Sequence, residues 1–100
     1  MTTDISYDSV YKSIESIIIE ECELEDDGIT SIKPEDNLIA DLHIESVNFL
    51  VVIFEIEDKY NIKIPMEDWV KQASANGAEA AKESYKMSIF VDNVYGLIKQ

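Results

Sequence analysis

Ser46 sits in the stretch Asp41-Leu42-His43-Ile44-Glu45-Ser46-Val47, where a hydroxyl, an imidazole and two carboxylates fall within seven positions. An apolar anchor, Leu42, precedes a short loop, and Ser46 then opens a run with helical periodicity. A serine placed there can do two things. Its hydroxyl can cap the helix by accepting a hydrogen bond from an exposed backbone N–H. It can also carry a phosphate ester, because free N–H groups and the positive end of the helix dipole favour negative charge. These residues alone leave both open. Asp41, His43 and Ser46 do not read as a hydrolase triad. A triad needs an oriented base and an oxyanion hole in a cleft, which three residues on one exposed turn do not supply.

Two other groups invite a chemical reading. Glu23, Glu25, Asp27 and Gly28 have spacing like that of a calcium loop, but the first ligand position is Glu and the twelfth is Pro34, not a bidentate Glu. No metal site is assigned, although loose cation binding by the acidic cluster stays open. Cys22 is the single cysteine. It continues the Ile14, Ile18 stripe, so it reads as a core thiol, and it excludes an internal disulfide.

Four helices must position Ser46. The first runs from about Asp4 to Cys22, with Tyr7, Val10, Tyr11, Ile14, Ile17, Ile18 and Cys22 at three- and four-residue steps. From Glu23 to Asn37 the pattern fails at Gly28, Pro34 and the acidic run, giving a long loop pinned by Ile29, Ile32 and Leu38. The second helix spans Ser46 to Tyr60, ended by Asn61 and Pro65. Met66 to Gln72 forms a short helix anchored by Trp69 and Val70. Residues Ala73 to Glu83 form either a loop or a helical piece around Ala78 to Lys82. The last helix starts near Ser84 or Ser88 and ends at Ile98, with Ile89, Phe90, Val94, Leu97 and Ile98 as its stripe. The expected architecture is an all-α four-helix bundle, one domain over residues 1–100, with a long first connection.

Charge narrows the function classes. The net charge is −13, and all eight basic residues are lysines. Nucleic acid and anionic membrane would be repelled, and no arginine is present to grip phosphate bidentately. Partners with basic surfaces are expected, steered in by long-range attraction. No apolar run approaches the roughly 20 residues needed to cross a bilayer. Met1 to Tyr7 lacks the features of a signal peptide and the lone cysteine fits a reducing compartment, so the cytoplasm is expected; a monomer is expected as well.

The stretch Ile32 to Pro65, "IKPEDNLIADLHIESVNFLVVIFEIEDKYNIKIP", resembles the acyl carrier protein family. Members show an acidic residue and Leu, then Gly, a variable residue, Asp, Ser and Leu, and a helix ending in an acidic run, an aromatic and Ile-Pro. Asp41 and Leu42 match, Ser46 falls on the modified serine, Tyr60 on the aromatic, and Ile64-Pro65 on the close. The resemblance implies 4′-phosphopantetheine attached through its phosphate to Ser46, with an acyl thioester on its terminal thiol and no catalysis by the carrier. It implies three partner classes: a phosphopantetheinyl transferase, acyl synthases and acyltransferases. His43 replaces Gly, Glu45 replaces Asp and Val47 replaces Leu, which bears on which transferase acts. The stretch "IPMEDWVKQ" and the long insertion before Tyr85 resemble specialised carriers that serve very-long-chain acyl transfer to lipid A.

Wound at 100° per residue, the second helix has two apolar faces. Phe49, Val52, Ile53, Ile56 and Tyr60 face the core. Val47, Leu50, Val51 and Phe54 form the other, flanked by Glu45 and, at its lower end, Glu57 and Asp58. That second face is either a docking patch or is covered by residues after Pro65. Ile14, Ile18, Leu42, Ile53, Ile56, Trp69, Ile89 and Val94 are candidates to line a sheltering pocket. Alternative functions are carriage of an aminoacyl or polyketide unit, and a non-carrier helical interaction module in which Ser46 only caps.

Overall fold

The computed structural model describes residues 5–100, and Asp4 lies outside them. Five α-helices appear among the described residues: α1 (Tyr7–Glu21), α2 (Ser46–Tyr60), α3 (Met66–Ser74), α4 (Ala78–Glu83) and α5 (Met87–Ile98). The four expected helices are present, and α4 is the helical alternative for the insertion. Each boundary has a local cause. Ser6 caps α1, its hydroxyl accepting from the Ser9 N–H at 3.1 Å. Asn61 ends α2 in the left-handed conformation at φ 54°. Gly77, at φ 108°, makes the turn between α3 and α4, where a side chain would be strained.

Helix α1 packs against both α2 and α5. Val10, Ile14 and Ile18 meet Val52, Ile56, Phe90, Val91 and Val94 in a core fully closed to solvent. Phe49 reaches across from α2 to Phe90, ring centroids 5.4 Å apart, and to Tyr85 at 5.7 Å. Two expectations change. Ile89 is 38% exposed, so the buried face of α5 is carried by Met87, Phe90, Val91 and Val94. Cys22 is half-buried, and burial raises its thiol pKa.

The long connection is pinned at both ends. The hydroxyl of Tyr11 donates to the Ile32 carbonyl, and the Ile32 N–H donates to Glu15 Oε2 at 2.7 Å. Farther along, the loop serves α5, which has no side-chain cap. The N–H groups of Met87 and Ser88 donate to the carbonyls of Asp36 (2.8 Å) and Pro34 (3.0 Å). The Leu38 N–H donates to the Tyr85 carbonyl at 2.8 Å. Asn37 ties these strands of chain together. Its Nδ2 donates to the Lys82 carbonyl at 2.8 Å, and its Oδ1 accepts from Ile39 and Ala40 N–H.

Asn37→Ala removes these three side-chain bonds at a partly exposed site. The expected loss is about 1–2 kcal/mol, read as a lower urea midpoint at unchanged m-value.

Glu55 carries a second expectation. Partial desolvation, followed by the charge and hydrogen bond of Glu21 and the charge of Glu20, raises its pKa. A folded-state pKa above the unfolded value means the native state holds this proton more tightly, so stability is gained as pH falls through it. Glu55→Gln is therefore expected to raise the melting temperature at pH 7 and to lose that advantage below the ordinary Glu range. Melting curves across pH check this.

Candidate functional site

Ser46 is the first helical residue of α2, one position inside the cap, which is Glu45 in an extended conformation. It is exposed. Glu45 makes no side-chain capping bond, and the first helical hydrogen bond is Phe49 N–H to the Glu45 carbonyl at 2.9 Å. The N–H groups of Ser46, Val47 and Asn48 therefore precede the ladder and point out of the helix tip. An exposed hydroxyl beside unpaired donors can take a phosphodiester with little desolvation, and the dipole favours the charge. The site thus suits a phosphate-linked arm. The capping role read from sequence passes to the Glu45 position.

The preceding turn sets this geometry. Asp41 and Leu42 N–H groups donate to the Asn37 carbonyl (2.9 and 3.1 Å), and His43 N–H to the Ile39 carbonyl at 3.1 Å. Asp41 Oδ2 accepts from the Asn37 N–H at 2.8 Å, so this acid is a turn-former. His43 then takes φ 55°, a left-handed conformation that glycine adopts freely. The reversal drops Ile44 into the core, where it is 5% exposed and its N–H reaches the Leu38 carbonyl at 3.2 Å. Two residues later the chain enters α2. The backbone at His43 explains why glycine is common at the matching position: the turn needs a positive φ there.

The second apolar face of α2 is open. Val47 is 70% exposed, Leu50 49%, Val51 38% and Phe54 57%. The alternative that residues after Pro65 cover it does not hold, because α3 and α4 pack on each other elsewhere. Glu45 and Asp58 are exposed beside this face. Glu57 is half-buried, and its Oε2 accepts the Ile64 N–H at 2.7 Å, so it also closes the α2–α3 connection. Sequence reading missed Asn37 as a positioning residue; an Asn four positions before Asp41 is a weak signal in isolation. Among the described residues, no group of three or more His, Cys, Asp or Glu side chains could hold a metal ion. No helix there is long and apolar enough to cross a membrane.

Residues 12–78 match the family described as phosphopantetheine attachment site. The chain is 36% identical over 77 residues, 77% of either chain, to Acyl carrier protein AcpXL of Brucella melitensis. It is 34% identical over 77 residues to AcpXL of Rhizobium meliloti, covering 77% of this chain and 76% of the relative. It is 25% identical over 76 residues to an acyl carrier protein of Helicobacter hepaticus, covering 76% and 96%.

The chain belongs to the acyl carrier protein family. Its prosthetic group is 4′-phosphopantetheine, whose thiol holds the acyl group as a thioester. An acyl carrier protein carries and does not catalyse. The family works with synthases, acyltransferases and a phosphopantetheinyl transferase.

His43→Gly is expected to leave this carrier's stability unchanged or raise it by up to about 1 kcal/mol. His43→Val, with a β-branched residue in the same conformation, should lower it by about 1–2 kcal/mol. Chemical denaturation of both variants checks the order.

Proposed function

We propose that Ser46 is the attachment point, that residues 1–100 act as one carrier domain, and that the α2 face is where partners dock. The observation that carries the first point is the exposed Ser46 hydroxyl at an α2 tip with no side-chain cap. The second apolar face supports docking, with Val47, Val51 and Phe54 as contacts and Glu45, Glu57 and Asp58 as acidic rim. Transferases, synthases and acyltransferases with basic docking surfaces suit this rim and the net charge of −13. The protein works as a monomer in the cytoplasm.

The cargo in this reading is a very long acyl chain destined for lipid A. The resemblance of "IPMEDWVKQ" to such carriers, and the helical insertion α4 between α3 and α5, support it. Intact mass of protein isolated from its own cell reads the cargo directly; an aminoacyl or polyketide mass would replace this reading.

Incubation of apo protein with coenzyme A and a broad phosphopantetheinyl transferase is expected to add the mass of one phosphopantetheine, with release of adenosine 3′,5′-bisphosphate. Ser46→Ala should add none. Persistent modification of the Ser46→Ala protein would remove Ser46 from its role.

A further inference from the structure

The fold makes no use of the His43 side chain. The residue is exposed, and among the described residues its ring enters no hydrogen bond or ion pair. Its backbone, at φ 55°, is one that glycine adopts without strain. A ring held at a disfavoured backbone angle with no structural return implies work done outside the bundle. Its surroundings define that work. From Pro34 to Asp58 the chain has seven carboxylates and no Lys or Arg, so His43 is the one side chain there that can carry positive charge. Ser46 lies three positions on. The turn buries Ile44 between them and leaves His43, Glu45 and Ser46 exposed on its outer rim. The Cα atoms of His43 and Ser46 are at most about 11 Å apart. An imidazole and a substituent on Ser46 Oγ close that gap from both ends. The prosthetic group of this family joins its serine through a phosphodiester, which is a single negative charge with two free acceptor oxygens. The N–H groups at the α2 tip can meet one oxygen. A charged ring can meet the other.

We propose that His43 binds the phosphodiester of the phosphopantetheine arm, its imidazolium donating to a non-bridging oxygen and holding the root of the arm against the turn. This rests on attachment at Ser46. Two carboxylates on the same turn compete for the ring. Asp41 Oδ2 is committed to the Asn37 N–H at 2.8 Å. Glu45 is exposed and makes no capping bond, so it is the partner that the phosphodiester displaces. Helix α2 has no acidic residue in its first turn. From the α4–α5 junction come two other cations: Lys82, whose carbonyl accepts from Asn37 Nδ2, and Lys86, paired with Glu83 at 3.3 Å. The contact holds while the imidazole is charged and is released as pH rises through the histidine range.

The test is phosphorus NMR of the carrier loaded from coenzyme A. A phosphodiester has no ionisation of its own between about pH 5 and 8, whereas imidazole changes charge there. The phosphorus resonance is expected to move in one sigmoidal step across that window. His43→Gln and His43→Gly should each flatten it, and Lys82→Gln should keep it. His43 is the only histidine, so its ring-proton signals need no assignment. They should move when the arm is attached at the acid end of the window and hardly at the alkaline end. A flat phosphorus resonance in the parent overturns the proposal. So does a step that survives both His43 variants, which would belong to a carboxylate, or one that Lys82→Gln removes. Peptide mass mapping separates this from the reading beneath it. An arm found on another residue refutes attachment at Ser46 and the His43 contact together; an arm on Ser46 with a flat resonance refutes the His43 contact alone.

Discussion

The backbone of Asp36 and Leu38 and the side chain of Asn37, bonded to the junction between α4 and α5, are the constraint on which the placement of Ser46 depends. The connection between α1 and α2, residues 22–45, has many conformations to lose. It is ordered because its polar groups do the work of missing helix caps. The Pro34 and Asp36 carbonyls accept from the first N–H groups of α5, and the Leu38 N–H donates to the Tyr85 carbonyl. Satisfying buried or half-buried backbone groups this way offsets the ordering cost. The Asn37 side chain and the Asp41 carboxylate then curl the last residues of the loop into a turn. That turn drives Ile44 inward and releases the chain into α2 with Ser46 outward.

The same helix is asked to do two opposed things. One face, with Phe49, Val52, Ile53 and Ile56, is core. The other presents Val47 and Phe54 to water, at a cost that plain stability would not favour. In an acyl carrier protein, cargo is passed among several partners, and a surface that is covered only in complexes is consistent with that work. In the reading proposed above, the net charge of −13 steers the carrier toward basic surfaces and the apolar face supplies contact once there.

The insertion separates this chain from a plain four-helix arrangement. Helix α4 contributes nothing to the core, yet it creates grooves on both of its flanks. Its alanines keep the side chains short, and Gly77 lets the chain reverse immediately after α3. A segment with few buried contacts opens at small free-energy cost.

Much of this was legible in the residues. The 3.6-residue stripes determined α1, α2, α3 and α5 to within a few positions, because burial of an apolar face imposes that period wherever it occurs. The division of α2 into a core face and a second apolar face also followed from winding alone, and Ser46 was marked by its place before that pattern. Other features were decided only in three dimensions. Whether the open α2 face stayed open depended on where α3 and α4 packed. Which residues of α5 faced inward, Phe90 and Val91 and not Ile89, depended on the angle at which the helix met α1 and α2. The role of Asn37 depended on the loop meeting the Lys82 carbonyl, 45 positions away in the chain. Local periodicity carries the information for local burial; a bond between distant polar groups leaves no period in the sequence, so only the assembled fold reveals it.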